Sequence, residues 1–270
     1  MPELPDVQYF KQYLDATSLH RPVKEVVLYT AQVLANITID ELETEVAGRT
    51  FAGSDRHGKY LLVELDDGRT LIMHFGMTGH LEYFEDAGGE PEFTDVRFQF
   101  EDDGYLAYVA PRKLGGLRLV EDVSHFLAAK DLGPDVLDDE FDFETFRDIL
   151  SDRRGMIKSA LMDQSLMAGM GNVYSDEILF QARLQPRAPV QTLDEETLHT
   201  LYMTMEEVLQ TAIEHNANPE QFPDSFIIPQ RHEDGHCPQC GGAVQTVDVA
   251  GRTAYYCPQC QAMPDESQND

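Results

Sequence analysis

The start of the chain carries a group that could act as a nucleophile. Removal of Met1 would leave Pro2 at the terminus with a secondary amine, and an α-amino group titrates near neutral pH. Such an amine can attack an aldehyde-level carbon and form an iminium, while the adjacent Glu3 could donate or accept protons. The alternative is a proline that simply begins a helix after a disordered methionine.

A lysine follows a glycine at the predicted start of a strand. Within the segment His57-Gly58-Lys59-Tyr60, the glycine lets other backbone approach closely. Lys59 could therefore reach a phosphate or shuttle a proton. A surface lysine without a chemical role is the alternative.

Residues 163–174 predict the end of a helix, two glycine-containing turns and a second helix that Asn172 caps. Free N–H groups at the start of such a helix suit a phosphate. Helix–turn–helix geometry places this kind of element against a DNA backbone. An ordinary helical hairpin is the alternative.

All four cysteines of the chain lie near its C-terminal end, in two Cys-Pro-Gln-Cys knuckles formed by Cys237, Cys240, Cys257 and Cys260. Two knuckles at this separation can place four thiolates tetrahedrally around one Zn²⁺. The alternative is two disulfides, which would need an oxidising compartment. A closed four-cysteine site is structural, so we expect this zinc to stabilise the fold and not to catalyse.

The residues between the knuckles predict a β-hairpin with a knuckle at each end. Valines alternate with other residues over 244–249, Gly251 turns the chain, and residues 253–256 return it. Arg252, at the turn, is placed to hold a phosphate. A solvated surface arginine is the alternative.

The pattern of apolar residues that must position these groups predicts an α+β fold. Helical spacing over residues 6–16 predicts an amphipathic helix. Short runs between turn residues from 23 to 120 predict an antiparallel β-sandwich or barrel of about eight strands, and the helical period returns from 143 to 216. We expect these domains: 1–121, catalytic β-sandwich; 122–142, linker; 143–230, helical domain; 231–262, zinc finger; 263–270, disordered tail.

Charge and composition limit the class of protein. The 270 residues include 20 basic and 49 acidic side chains, a net charge of −29. Such a surface repels phosphate as a whole, although a DNA-binding face needs only a local cluster of arginine and lysine. The acidic surplus with few lysines is typical of proteins from a salt-loaded cytoplasm, where repulsion is screened; we expect halophilic adaptation, with an acidic partner surface or an unusual host as alternatives.

The sequence also indicates where the protein acts. No apolar run approaches the ~20 residues of a membrane span, and the acidic, proline-rich start does not look like a signal peptide. We expect a cytoplasmic protein that does not bind membranes and acts as a monomer.

Together and in this order, the motifs resemble those of the formamidopyrimidine-DNA glycosylase/endonuclease VIII (Fpg/Nei) family over nearly the whole chain. The resemblance implies a base-excision repair enzyme, a DNA glycosylase with AP lyase activity that acts on damaged double-stranded DNA in the nucleoid. It also implies that the damaged nucleotide is flipped out of the duplex. The motifs are Pro2-Glu3-Leu4-Pro5, Gly58-Lys59-Tyr60-Leu61, residues 74–79, Pro111-Arg112-Lys113-Leu114-Gly115, the helix–two-turn–helix at 163–177 and the four-cysteine finger.

The resemblance implies a role for each catalytic candidate. Pro2 would attack C1′, expel the base and form a Schiff base, and Glu3 would protonate the sugar ring oxygen. Lys59 would assist elimination near the phosphate, and Arg252 would help to hold or protonate the second leaving group. β,δ-Elimination would then leave a one-nucleotide gap.

The resemblance also implies two sets of DNA contacts. Three residues would fill the space that the flipped nucleotide leaves, a wedge strategy used on bent DNA: Met77, Arg112 and Leu114. Four residues would contact phosphates: Lys113, Arg154, Lys158 and Asn172.

The sequence departs from the Fpg pattern at three places that bear on the lesion. Leu114 stands where an aromatic wedge residue is common, and residues 93–95 replace a histidine that the Fpg branch uses on DNA. Residues 218–229 are shorter than the loop that closes over 8-oxoguanine and lack its glycines and threonines. We therefore expect 8-oxoguanine to share preference with formamidopyrimidines, oxidised pyrimidines or abasic sites. The rival hypotheses are a DNA-damage-binding protein that has lost the chemistry and, more remotely, a zinc-ribbon regulator.

Overall fold

A computed structural model describes residues 1–261 and residue 263. The chain forms two compact units, Met1–Asp131 and Leu132–Asp270. Most of the expected disordered tail, residues 264–270, lies outside the described residues. In the part of the chain that is described, no helix is long and apolar enough to cross a bilayer.

The first unit is an antiparallel β-sandwich with three helices, α1 (Leu4–Ser18), α2 (Ile39–Val46) and α3 (Val123–Ala129). Its two sheets have the strand orders β2-β3-β4-β8 and β1-β6-β7-β5. One buried apolar cluster joins α1, α2 and both sheets. The strands are β1 (Val23–Leu28), β2 (Phe51–His57), β3 (Tyr60–Leu65), β4 (Thr70–His74), β5 (His80–Phe84), β6 (Thr94–Phe100), β7 (Tyr105–Val109) and β8 (Gly116–Val120).

The second unit is helical and ends in a β-hairpin. Its helices are α4 (Phe143–Ser151), α5 (Ile157–Met162), α6 (Asn172–Gln181) and α7 (Glu195–Glu214), and its strands are β9 (Gln245–Val249) and β10 (Arg252–Tyr256). These elements and the sandwich confirm the predicted α+β fold. Short 3₁₀ segments lie at Ala31–Val33, Ala87–Gly89, Val190–Thr192, Pro219–Gln221 and Ile228–Gln230.

Two details of the second unit position functional groups. In α6, every residue from Tyr174 to Phe180 is buried, so polar side chains within it need internal partners. The strands β9 and β10 are joined by two residues, Ala250 and Gly251, whose φ angles are +51° and +75°. Two positive φ angles are typical of the tight hairpin turn that matches strand twist.

Some elements lie where the sequence pattern did not indicate them. Strand β2 is rich in small and polar residues, and α1 packs on it. Helix α2 begins at a capping box in which Thr38 Oγ1 accepts from the Glu41 N–H (3.3 Å). Helix α3 lies within 122–142, the segment expected to be a linker, and begins where Asp122 Oδ1 accepts from the His125 N–H (3.0 Å).

Candidate active site, DNA-binding surface and zinc centre

The residue that follows Pro2 is fixed at the start of α1. Glu3 is the N-cap of this helix, its N–H donates to Asp6 Oδ2 (2.8 Å), and the residue is only 1% exposed. Burial, together with the nearby Glu3 carboxylate, raises the pKa of Asp6 to about 6. The helix begins at Leu4, earlier than its apolar spacing indicated, with Pro5 in the first turn, where a missing N–H is tolerated.

Lys59 lies in the two-residue turn that joins β2 to β3, and it is buried. The turn is tied to α1 by Arg56, which donates from Nη1 to Gly58 O (3.1 Å) and from Nε to Gln8 Oε1 (3.0 Å). Burial and the nearby Lys59 ammonium lower the pKa of His74. One helix–hairpin scaffold therefore carries both Glu3 and Lys59.

Two adjoining loops of the first unit present the three residues expected to fill the space in the DNA. Met77 and Leu114 are 40% and 53% exposed, and Arg112 is also exposed. Gly76 has a φ of +60°, and a Cβ on it would lie 2.5 Å from the backbone carbon of Leu114. The structure thus brings the Met77 and Leu114 loops into backbone contact.

Lys113, expected to contact a phosphate, is turned toward the protein interior. Its ammonium forms an ion pair with Asp95 Oδ1, and Asp95 has no solvent exposure. The Lys113 side chain itself remains 36% exposed. The structure thus gives Lys113 a buried partner that sequence reasoning did not foresee, and its phosphate contact stays a prediction.

Asn172 does not cap α6 as predicted, because Gly171 is the N-cap and Asn172 is the first helical residue. The Asn172 Nδ2 atom donates to Thr253 O (2.9 Å), while its Oδ1 is buried without a hydrogen-bond partner. Thr253 directly follows the exposed Arg252. The structure therefore brings Asn172 and the Arg252 strand of the hairpin together.

Lys158 is also an internal residue, which contradicts the expected phosphate contact. It is fully buried, and its Nζ donates to Asn172 O (3.0 Å) and Ser175 Oγ (2.6 Å). The same atom lies 2.7 Å from Asp176 Oδ1. The ammonium therefore combines two hydrogen bonds with a buried ion pair. Arg154, in the loop before α5, is exposed and stays a candidate for phosphate binding.

Sequence reasoning missed the acidic pair inside α6. Asp176 Oδ2 accepts from Arg231 Nε (2.9 Å) and from the Tyr255 N–H (3.1 Å). Burial raises the pKa of Asp176, while the neighbouring cations oppose that shift. Burial also raises the pKa of Glu177 to about 7, and its Oε2 accepts from the Ile228 N–H (2.9 Å). An Asp-Glu pair directly before the apolar run Ile178–Phe180 was the signal that could have found them.

The four cysteines converge at the open end of the β9–β10 hairpin, with their sulfurs within 4.8 Å of one another. The Cys237–Cys260 and Cys240–Cys257 sulfur distances are 3.6 and 3.5 Å. A disulfide would need about 2.05 Å, whereas sulfurs about 2.3 Å from a tetrahedral Zn²⁺ lie about 3.8 Å apart. The Gly242 N–H lowers the pKa of Cys240 to about 7. The four thiols therefore fit one structural zinc.

Comparisons with known proteins cover nearly the whole chain. The family model "Formamidopyrimidine-DNA glycosylase N-terminal domain" matches residues 1–117. The model "Formamidopyrimidine-DNA glycosylase H2TH domain" matches residues 132–223, and "Zinc finger found in FPG and IleRS" matches residues 236–262. The three matches follow one another in the order in which the sequence motifs occur.

Individual relatives agree with the family models. A formamidopyrimidine-DNA glycosylase from Desulforamulus reducens is 32% identical over 274 residues, covering 97% of this chain and 99% of that protein. The Lactococcus lactis Fpg structure with DNA containing an abasic site has a TM-score of 0.87 at 29% identity, covering 96% of this chain and 99% of that chain. A MutM complex with DNA containing carbocyclic 8-oxo-G also reaches 0.87 at 29% identity, covering 97% and 100%. The chain belongs to the formamidopyrimidine-DNA glycosylase family.

Proposed function

We propose that this protein is a base-excision repair DNA glycosylase that also cleaves the strand at the resulting abasic site. The observation that carries the proposal is the buried Glu3 at the N-cap of α1, directly after Pro2 and tied to Asp6. Because α1 fixes the residue next to the terminus, an amine at Pro2 would act from a defined position. Family membership supports the same reaction.

The chemistry starts from the Pro2 amine after removal of Met1. Its nitrogen bonds to C1′ as the C1′–N glycosidic bond breaks, and the base leaves with the electron pair and a proton. Glu3 protonates the sugar ring oxygen as the ring opens. The iminium then serves as an electron sink: loss of a C2′ proton breaks the C3′–O bond, and a second elimination breaks the C5′–O bond. Water hydrolyses the iminium and frees Pro2.

Two cations assist the eliminations. The position of Lys59 in a turn tied to α1 supports its action at the first phosphate. The exposed position of Arg252 after the tight turn supports its holding the second leaving phosphate. Met77, Arg112 and Leu114 fill the gap left by the flipped nucleotide, and Arg154 and Asn172 serve the flanking phosphates.

The proposed substrates are formamidopyrimidines, oxidised pyrimidines and abasic sites, ahead of 8-oxoguanine. The segment 218–229 supports this order, because Phe222, Phe226 and Ile227 within it are buried. Ile227 packs in the apolar cluster that includes Phe180 and a zinc-ligating cysteine. A segment committed to that packing is a poor candidate for a loop that closes over a flipped purine.

Borohydride trapping on duplex DNA with an abasic site tests the proposal. Protein whose mass shows that Met1 has been removed should form a covalent adduct, and protein that retains Met1 or has an acetylated terminus should not. Full-speed strand cleavage by the blocked protein would overturn the Pro2 mechanism. Tight binding of damaged DNA without adduct or cleavage would instead indicate a damage-binding protein.

We also propose that the protein works as a monomer in a salt-rich cytoplasm. The net charge of −29 supports this, because screening by salt lowers self-repulsion. Base excision should then be retained in molar KCl, and light scattering there should give the mass of one chain. Optimal stability and excision near 0.1 M salt would contradict it.

A further inference from the structure

The turn that carries Arg112 and Leu114 is anchored from inside by one ion pair. Asp95, in β6, is fully buried, and its Oδ1 pairs with the Lys113 ammonium. Its other oxygen, Oδ2, is buried without a hydrogen-bond partner. A buried carboxylate is costly unless a cation compensates it. Among residues 1–261, Lys113 is the cation that pairs with Asp95.

The backbone at the anchor is held in an unfavourable conformation. Lys113 has a φ of +53°, a region that residues other than glycine rarely occupy. Its N–H donates to Ala110 O (2.8 Å), which closes the turn. Local strain of this kind persists only where surrounding contacts over-determine it. The ion pair with Asp95 is such a contact.

The strand that supplies the carboxylate is itself fixed. The Tyr29 N–H donates to Asp95 O (2.9 Å), and the Ala110 N–H donates to Phe93 O (3.4 Å). Asp95 is therefore tied through its own carbonyl to Tyr29, and the chain two residues before it is tied to Ala110. A side chain mounted on this frame is a rigid attachment point for Lys113.

The inward anchoring of the Lys113 side chain bears on the exposure of the two residues next to it. Arg112 and Leu114, the residues on either side, are both exposed, and Leu114 is 53% exposed despite being apolar. The turn cannot relax toward Gly76, because their backbones are already in contact. The turn is thus held with two side chains extended into solvent before any DNA is present.

We propose that the Asp95–Lys113 ion pair is a positioning device that holds Arg112 and Leu114 extended, ready to enter a base stack. The inference rests on the proposed function. It predicts that the pair matters where a nucleotide must be displaced from a duplex, and not where the target is already unstacked. Preorganised side chains spend no part of the binding energy on their own ordering.

The test compares Asp95→Asn, Lys113→Met and Lys113→Arg on two substrates. One is duplex DNA with a paired lesion, and the other is single-stranded DNA with an abasic site. On the duplex, Asp95→Asn and Lys113→Met should lower the single-turnover rate about tenfold. On the single strand, both should cleave as fast as the wild type. Lys113→Arg keeps a cation for Asp95 and should retain most of the duplex rate.

A matched control is Asp67→Asn, which breaks an ion pair with Arg69 elsewhere in the same unit and should leave both rates unchanged. Fluorescence of 2-aminopurine placed next to the lesion gives a second readout, since it reports entry of side chains into the stack even for a variant with altered stability. Equal duplex rates for Asp95→Asn and the wild type would overturn the inference. So would equal losses on both substrates. A wild type that cleaves neither substrate would instead refute the proposed function.

Discussion

The ammonium of Lys158 lies 2.7 Å from the carboxylate of Asp176, and neither side chain reaches solvent. The same carboxylate accepts hydrogen bonds from Arg231 and from the Tyr255 N–H of β10. One buried group therefore joins α5, α6 and the zinc hairpin. It also places β10, which begins at Arg252, relative to the start of α6.

Removing one member of this pair should be strongly destabilising. Lys158→Met would leave Asp176 with a single cation, and breaking a buried ion pair costs about 3–5 kcal/mol. We expect urea denaturation to show a loss of about 3 kcal/mol in the free energy of unfolding. Lys11→Met, which breaks an ion pair with Asp15 on the surface of α1, is the control and should change little. Equal stability of the two variants would show that the Lys158 pair contributes nothing.

Glu177 should make stability depend on pH. Its pKa of about 7 in the folded state exceeds the ordinary value of 4.5, so the folded protein retains a proton that the unfolded chain releases. Wild-type stability therefore falls as pH rises from about 4.5 to about 7, by up to about 3 kcal/mol.

The variant Glu177→Gln isolates this effect. Its stability relative to the wild type should increase across the same pH window and level off above pH 7, as followed by urea denaturation. Glu207→Gln, at an exposed position on α7, should show no such trend. A constant difference between Glu177→Gln and wild type from pH 4.5 to 8 would contradict the assignment.

Gly76 should tolerate no side chain. Ala at this position would meet both an unfavourable φ of +60° and the Leu114 backbone. Gly68 has a φ of +88° with no atom close enough to clash, so Gly68→Ala measures the backbone term alone, about 1 kcal/mol. We expect Gly76→Ala to lose about 2 kcal/mol or more in unfolding free energy and to slow excision from duplex DNA. Equal losses for both variants would mean that the loops can separate freely.

Zinc removal should release the hairpin and weaken DNA binding. The four thiols hold the two strands together at the open end of the hairpin, and Asn172 bonds to its second strand. A chelator or Cys240→Ser should therefore release one zinc per chain, measured colorimetrically, and reduce affinity for abasic duplex DNA. Added Zn²⁺ should restore the chelated wild type. Undiminished affinity in metal-free protein would separate DNA binding from the finger.

Features that depend on residues close together in the sequence could be predicted, whereas contacts between residues far apart in the sequence could not. The zinc hairpin followed from two local knuckles and a glycine turn, and α5 followed from its apolar spacing. The partners of Lys113 and Lys158 did not, since Asp95 and Asp176 are brought to them by sheet pairing and helix packing. Both lysines look like surface cations in sequence. Only the structure reveals that each is paired with a buried carboxylate.

The same limit applies to Asn172. Its position after two glycines is typical of a helix cap, yet Gly171 occupies that place and the asparagine reaches toward Thr253 instead. The competing partner is more than eighty residues away along the chain, so no local pattern could have indicated it.

Helix α6, enclosed on every side, also bears on how the protein matures. Asp176 and Glu177 lie in the middle of this helix. If the helix were only partly covered, apolar surface would be exposed or charged side chains would lose their partners. The parts of the chain that cover it last, the segment at Ile227 and the hairpin, are synthesised late, and the hairpin depends on metal. In a cell short of zinc, newly synthesised protein should be degraded by proteases before it can bind chromosomal DNA.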